Sequence, residues 1–174
     1  MPPYPAAEMP IGGIRLQNQP ETRFRGEPAP VALLPSQREA LDFLLPLAAD
    51  YPGIEAWFLL KVVPGLRTGT RTMLLVERDG RLVGLGIGKR EAAERKICTV
   101  VVAPSHAGRG IGTGLFDGLL RWLDTDKPAL TVSEGKLPVF GRIFDRYGFR
   151  LTSVHAGLYV PRAAELGFNG STQA

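Results

Sequence analysis

One stretch of sixteen residues constrains this chain more than any other: Val100-Val101-Val102-Ala103-Pro104-Ser105-His106-Ala107-Gly108-Arg109-Gly110-Ile111-Gly112-Thr113-Gly114-Leu115. A run of three valines favours a strand, and Pro104 ends it. Four glycines at alternate positions (108, 110, 112 and 114) then lead into an amphipathic stretch that predicts a helix over 111–123. Glycines let successive amide N–H groups turn inward without Cβ clashes, which makes an anion nest. The helix that follows adds the positive end of its dipole, so a pair of phosphates fits there without a dedicated lysine. Arg109 is placed to add a charge-assisted bond to a phosphate oxygen. The stretch is not a P-loop, because it lacks the Gly-Lys-Ser/Thr ending. A dinucleotide fold is also a poor match, since no acidic residue ends a strand about twenty residues later.

The surrounding periodicity predicts a mixed order of elements. Ser36-Gln37-Arg38-Glu39 has the form of a capping box and opens a helix that Pro46 should shorten. Residues 54–63 read as a second helix, ended by Pro64-Gly65, with Trp57 and Phe58 as core. Residues 71–76 and 81–88 read as strands joined by a tight turn at Asp79-Gly80, a pair that tolerates positive φ. Strands at 96–102 and 129–133, a helix at 137–147, and one or two closing strands within 149–160 complete the pattern. Residues 11–16 could add a short edge strand. This order implies an α/β protein of mixed α+β type with an antiparallel front half.

Composition sets the boundaries. The 174 residues are 44% hydrophobic and 22% charged, ordinary globular usage that fits one domain with a real core. Residues 1–30 hold seven of the 15 prolines and are expected to be extended or partly disordered. The folded domain is expected over 31–165, with a flexible tail over 166–174. No window reaches the roughly eighteen apolar residues of a membrane helix. Met1-Pro2-Pro3-Tyr4-Pro5 lacks the basic and apolar regions of a secretory signal. Cys98 is the only cysteine, so no intramolecular disulfide is available and a reducing, cytoplasmic location is expected. The net charge of +4 suits an anionic ligand and leaves nucleic acid open without requiring it. Two histidines, His106 and His155, are too few for a zinc site, and no metal is expected.

The order of these motifs resembles the GNAT (Gcn5-related N-acetyltransferase) superfamily over roughly half of the chain, from about Arg71 to about Val160. It takes in the hairpin, the strand ending Val100-Val101-Val102-Ala103-Pro104, the glycine loop and Tyr147-Gly148-Phe149. The resemblance implies a central mixed, largely antiparallel sheet flanked by helices. It also implies an N-acyltransferase that moves acetyl from acetyl-CoA to a primary amine by direct attack. The coenzyme A pyrophosphate would lie on Gly108, Arg109, Gly110, Ile111, Gly112 and Thr113, and the pantetheine arm along Val100, Val101 and Val102.

Three positions depart from the family pattern. Ala107 replaces the usual Gln or Arg of the loop, for which Arg109 is a partial substitute. Leu137 replaces an Asn near the start of the later helix. Phe144 occupies the usual place of a tyrosine proton donor, which leaves Tyr147 as the candidate acid. Family members often use a glutamate early in the strand as a base, a place held here by Lys96. Glu94, two residues earlier, shares that strand face by period-two alternation and is preferred as base over Glu91. Pairing of both with nearby arginines is the competing reading. Cys98 reads as a small buried hydrophobe and not as a nucleophile. Fold analogy places Ser133 and Glu134 against the acceptor. The acceptor is open among small molecules, protein amines and aminoacyl-tRNA, and a homodimer is open as well. The alternative is a non-catalytic coenzyme A-sensing or nucleic-acid-binding module on the same fold.

Overall fold

The computed structural model describes residues 14–16 and 32–170. Most of the segment 1–30, with its expectation of extended or disordered chain, lies outside these residues. Its described piece, β1 (Ile14–Leu16), pairs antiparallel with the edge of β2 (Arg71–Arg78).

The first helix, α1 (Pro35–Leu44), starts one residue before the expected cap. Pro35 takes the first helical turn, where a missing N–H costs nothing, and Gln37 Oε1 accepts a hydrogen bond from Leu34 N at 3.1 Å. Pro46 stops α1 as expected, and a 3-10 turn (Leu45–Ala49) follows. The second helical run extends past its expected end. It comprises α2 (Ile54–Trp57), a π turn (Phe58–Val62) and α3 (Val63–Thr68). Val63 N donates to Phe58 O, five residues back. That wide turn accommodates Pro64, which lacks an N–H of its own, so the run ends only at left-handed Gly69.

β2 and β3 (Arg81–Arg90) form the expected hairpin, with Asp79 and Gly80 at φ of 51° and 71°. β4 (Arg95–Val102) completes an antiparallel sheet in the order β1-β2-β3-β4. Helix α4 (Ile111–Leu123), strand β5 (Leu130–Ser133) and helix α5 (Leu137–Tyr147) follow. A second antiparallel sheet has the order β5-β7-β6, from β6 (Leu151–Ala156) and β7 (Ala164–Phe168). The expected tail from residue 166 is therefore corrected. Leu166 and Phe168 are buried in the middle strand of this sheet, where both flanking strands satisfy the backbone.

Helices cover both faces of the first sheet. Met73, Leu75, Leu85 and Ile87 pack with Leu44, Phe58 and Val62 on one side. Leu74, Val76 and Val83 pack with Leu115, Leu119 and Phe144 on the other. The alternation of β2 between two apolar layers explains its continuous hydrophobic run. Gly84 lets α4 approach closely, since a Cβ there would lie 2.7 Å from Ile111 Cγ2.

Candidate active site

The two sheets meet at one place and then part. Ile97 N donates to Ala129 O and Ala129 N to Arg95 O, both at 2.9 Å, and the single bridge Lys96–Ala129 is parallel. Beyond it β4 and β5 diverge, and β4 keeps only β3 as a partner. Ala103 N donates to Val83 O at 2.8 Å. Strand alternation then directs the amides of Val101 toward β3 and those of Val100 and Val102 to the open edge. Cys98 has no partner on β3, which marks an extra residue in β4 at the start of that edge.

A cleft of about 1480 Å³ fills the opening. Val100, Val101 and Val102 line it, as do Gly108, Gly110, Ile111, Gly112 and Thr113. Gly108 and Gly110 hold φ of 73° and 80°, values a side chain rarely adopts. The first helical bond of α4 runs from Gly114 N to Gly110 O at 3.0 Å. The amides of Ile111, Gly112 and Thr113 therefore lack intrahelical acceptors and are available to an anion. Arg109 is exposed and is not part of the cleft wall, which gains instead His106 and, from α5, Arg142.

The glutamates nominated as bases have a partner that was not anticipated. Both accept from Lys89 Nζ, Glu94 at 2.7 Å and Glu91 at 3.2 Å, rather than from neighbouring arginines. The bond to Glu94 leads the causes that push the Lys89 pKa up. Glu94 lines the cleft, but it lies in the turn before β4, so strand alternation does not govern its direction. Glu91 is half exposed and outside the cleft wall.

Tyr147 is turned away. Its hydroxyl donates to Asp117, its ring stacks on Phe116 and Phe149, and it is not among the residues lining the cleft. Burial, followed by Asp117, pushes its pKa up to about 12. Ser133 hydrogen-bonds the Tyr51 hydroxyl, whereas Glu134 is exposed, and neither lines the cleft. Cys98 does line it, accepting from Arg71 Nη1 at 3.3 Å, and burial raises its pKa. Phe58 is core, but Trp57 is only partly buried and faces the cleft beneath Arg71.

Sequence reading missed a cluster at the end of the cleft away from the glycine loop. Glu165 on β7 is only 4% exposed, yet it lines the cleft. It accepts from Tyr51 Oη at 3.5 Å and from the Thr131 hydroxyl. Burial raises its pKa, and the two hydroxyls, Lys136 and Lys96 oppose the rise. The ring of Tyr159 meets that of Tyr51 edge-on at 5.2 Å. Period two in β5 explains the arrangement: Leu130 and Val132 face the core, while Thr131, which lines the cleft, and Ser133, which bonds Tyr51, stand on the opposite side of the strand. Among the described residues no three His, Cys, Asp or Glu side chains gather as a metal site.

A profile of the acetyltransferase (GNAT) family matches residues 37–134. The chain belongs to that family. It combines a parted pair of strands with a glycine loop at the head of a helix. A GNAT-family protein from Desulfovibrio desulfuricans superposes over 90% of this chain and 97% of its own, with a TM-score of 0.64 and 14% identity. A GNAT family acetyltransferase from Elizabethkingia anophelis, solved with acetyl-CoA bound, has the same coverage, a TM-score of 0.53 and 16% identity. A mycothiol acetyltransferase from Nocardiopsis dassonvillei is 41% identical over 63 residues, which is 36% of this chain. The match spans about a fifth of that relative's length (19%). Among the described residues, no helix is long and apolar enough to cross a membrane.

Proposed function

We propose that this GNAT protein transfers the acetyl group of acetyl-CoA to a primary amine by direct attack, in the cytoplasm. The observation that carries this reading is the pairing of an open β4 edge with the unpaired amides at the head of α4, both along one cleft. The amides of Ile111, Gly112 and Thr113 receive the pyrophosphate at the positive end of the α4 dipole. The edge of Val100 to Val102 pairs with the amide groups of the pantetheine arm, as an added strand would. At the start of that edge a backbone N–H polarises the thioester carbonyl, and charge developing on oxygen strengthens that bond. Arg109 meets phosphate only from the exposed rim. Glu94 lines the cleft but its carboxylate is engaged by Lys89, and Glu91 and Tyr147 do not line the cleft, so none of the three is assigned the proton transfer.

The raised pKa of Cys98 keeps the thiol protonated, which argues against an acyl-enzyme. The test is release of free thiol from acetyl-CoA in the presence of amines, amino acids, peptides and aminoacyl-tRNA. Amine-dependent release is expected, with intersecting initial-velocity lines and no acetyl adduct on Cys98 by mass spectrometry. Parallel lines with an adduct would assign a covalent route. No release with any amine would remove the reading.

A further inference from the structure

Glu165 is the sole buried carboxylate among the described residues, and the mechanism above gives it no task. An ionised carboxylate costs free energy to bury unless it is paired, yet no described lysine or arginine lies within ion-pair distance of it. The cleft's other inner carboxylate, Glu94, is already taken by Lys89. Lys136 is likewise held, by Asp50 at 2.8 Å. Around Glu165 stand Tyr51 from the segment before α2, Lys96 from β4, and Thr131 and Ser133 from β5. His155 is its partner on β6, and Tyr159 reaches it from the segment between β6 and β7. Tyr51, Tyr159, Trp57, Phe43 and Leu47 give this end of the cleft apolar and aromatic walls.

We propose that Glu165 receives and deprotonates the acceptor's ammonium group, and that the acceptor carries one primary amine on an apolar or aromatic stem. This rests on the acyl-transfer reading and deepens it. One buried carboxylate matches one cation, and aromatic rings beside it favour an alkylammonium. Beside Glu165 a second cation on the acceptor would meet Lys96, so polyamines are disfavoured. In the reaction, the ammonium gives one proton to Glu165 and the neutral amine attacks the thioester carbonyl. The C–N bond forms as the C–S bond breaks. The departing thiolate takes a second proton from the nitrogen, and Glu165 returns the first to solvent. Burial helps here, because a carboxylate held above its ordinary pKa is a stronger base once ionised.

The experiment uses the full chain, acetyl-CoA and two probes, 2-phenylethylamine and spermidine, with kcat/KM followed against pH. The parent should favour 2-phenylethylamine and show an acid limb from Glu165. Glu165→Gln should lower turnover about a hundredfold, erase that limb and leave coenzyme A affinity unchanged. Thr131→Val removes a hydrogen bond to the ionised form, so it should move the limb to higher pH with rescue of most of the plateau rate. It decides the matter if Glu165→Gln does not fold. A limb unmoved in Thr131→Val, or normal turnover in Glu165→Gln, overturns the assignment of the base while acetyl transfer stands. Preference for spermidine overturns the acceptor class. Failure of the parent to bind coenzyme A or to acetylate any amine removes the acyl-transfer reading, and this inference with it.

Discussion

Glu94 takes a hydrogen bond from Lys89 Nζ at 2.7 Å, whereas Glu165 meets hydroxyl groups in a buried corner of the same cleft. The difference has a consequence for stability. Because burial raises the Glu165 pKa, the folded state binds its proton more tightly than the unfolded chain does. Its contribution to stability is therefore fullest below the ordinary carboxylate pKa and declines as pH rises toward the raised folded value. Glu165→Gln removes that decline. The melting temperature of the variant relative to the parent should climb as pH rises above the ordinary carboxylate pKa, as a raised carboxylate requires. A difference independent of pH would show that Glu165 titrates as an ordinary surface carboxylate. Sequence reading passed over this residue because nothing local distinguishes Ala164-Glu165-Leu166-Gly167. It also favoured Tyr147 on proximity alone, before Asp117 was known to accept its hydroxyl.

Elements with their own local signals were readable in the chain. The Asp79-Gly80 turn fixed the first hairpin, and the bounds of α4 and α5 match their amphipathic patterns. Two elements escaped for physical reasons. The run through α2 and α3 passes Pro64 because a π turn absorbs the missing donor, a compensation that periodicity does not show. β7 is only five residues long and gains its stability from two neighbouring strands. The packing of α4 on β3 gives a prediction at this scale. In Gly84→Ala the new methyl would lie 2.7 Å from Ile111 Cγ2, so the Ile111 side chain, and with it the head of α4, is expected to shift. Overpacking of this kind costs about 1–3 kcal/mol. Thermal unfolding should show that loss, and coenzyme A affinity should fall with it because the unpaired amides of Ile111, Gly112 and Thr113 belong to the displaced turn. Loss of stability with unchanged affinity would mean that the loop is positioned independently of the helix.

Across the whole molecule, two helical layers hold the first sheet while the second sheet swings away from it, and the cleft is what remains between them. Its half along the glycine loop was legible in the sequence because strand, loop and helix are consecutive from Val100 to Leu115. The other half was not, since Tyr51 and Glu165 are 114 residues apart and meet only through the fold. The proposal that the consecutive half holds coenzyme A is tested by an equilibrium titration of coenzyme A into the parent and Gly110→Val. A Cβ at Gly110 meets nothing within 4 Å, so the substitution acts through backbone strain at φ 80° and not through a clash in the core. The parent should bind saturably, and Gly110→Val should bind at least about tenfold more weakly, a change of about 1.4 kcal/mol, while still unfolding cooperatively. Equal affinity in the two proteins, or no binding by the parent, would mean that the glycine loop does not hold the coenzyme.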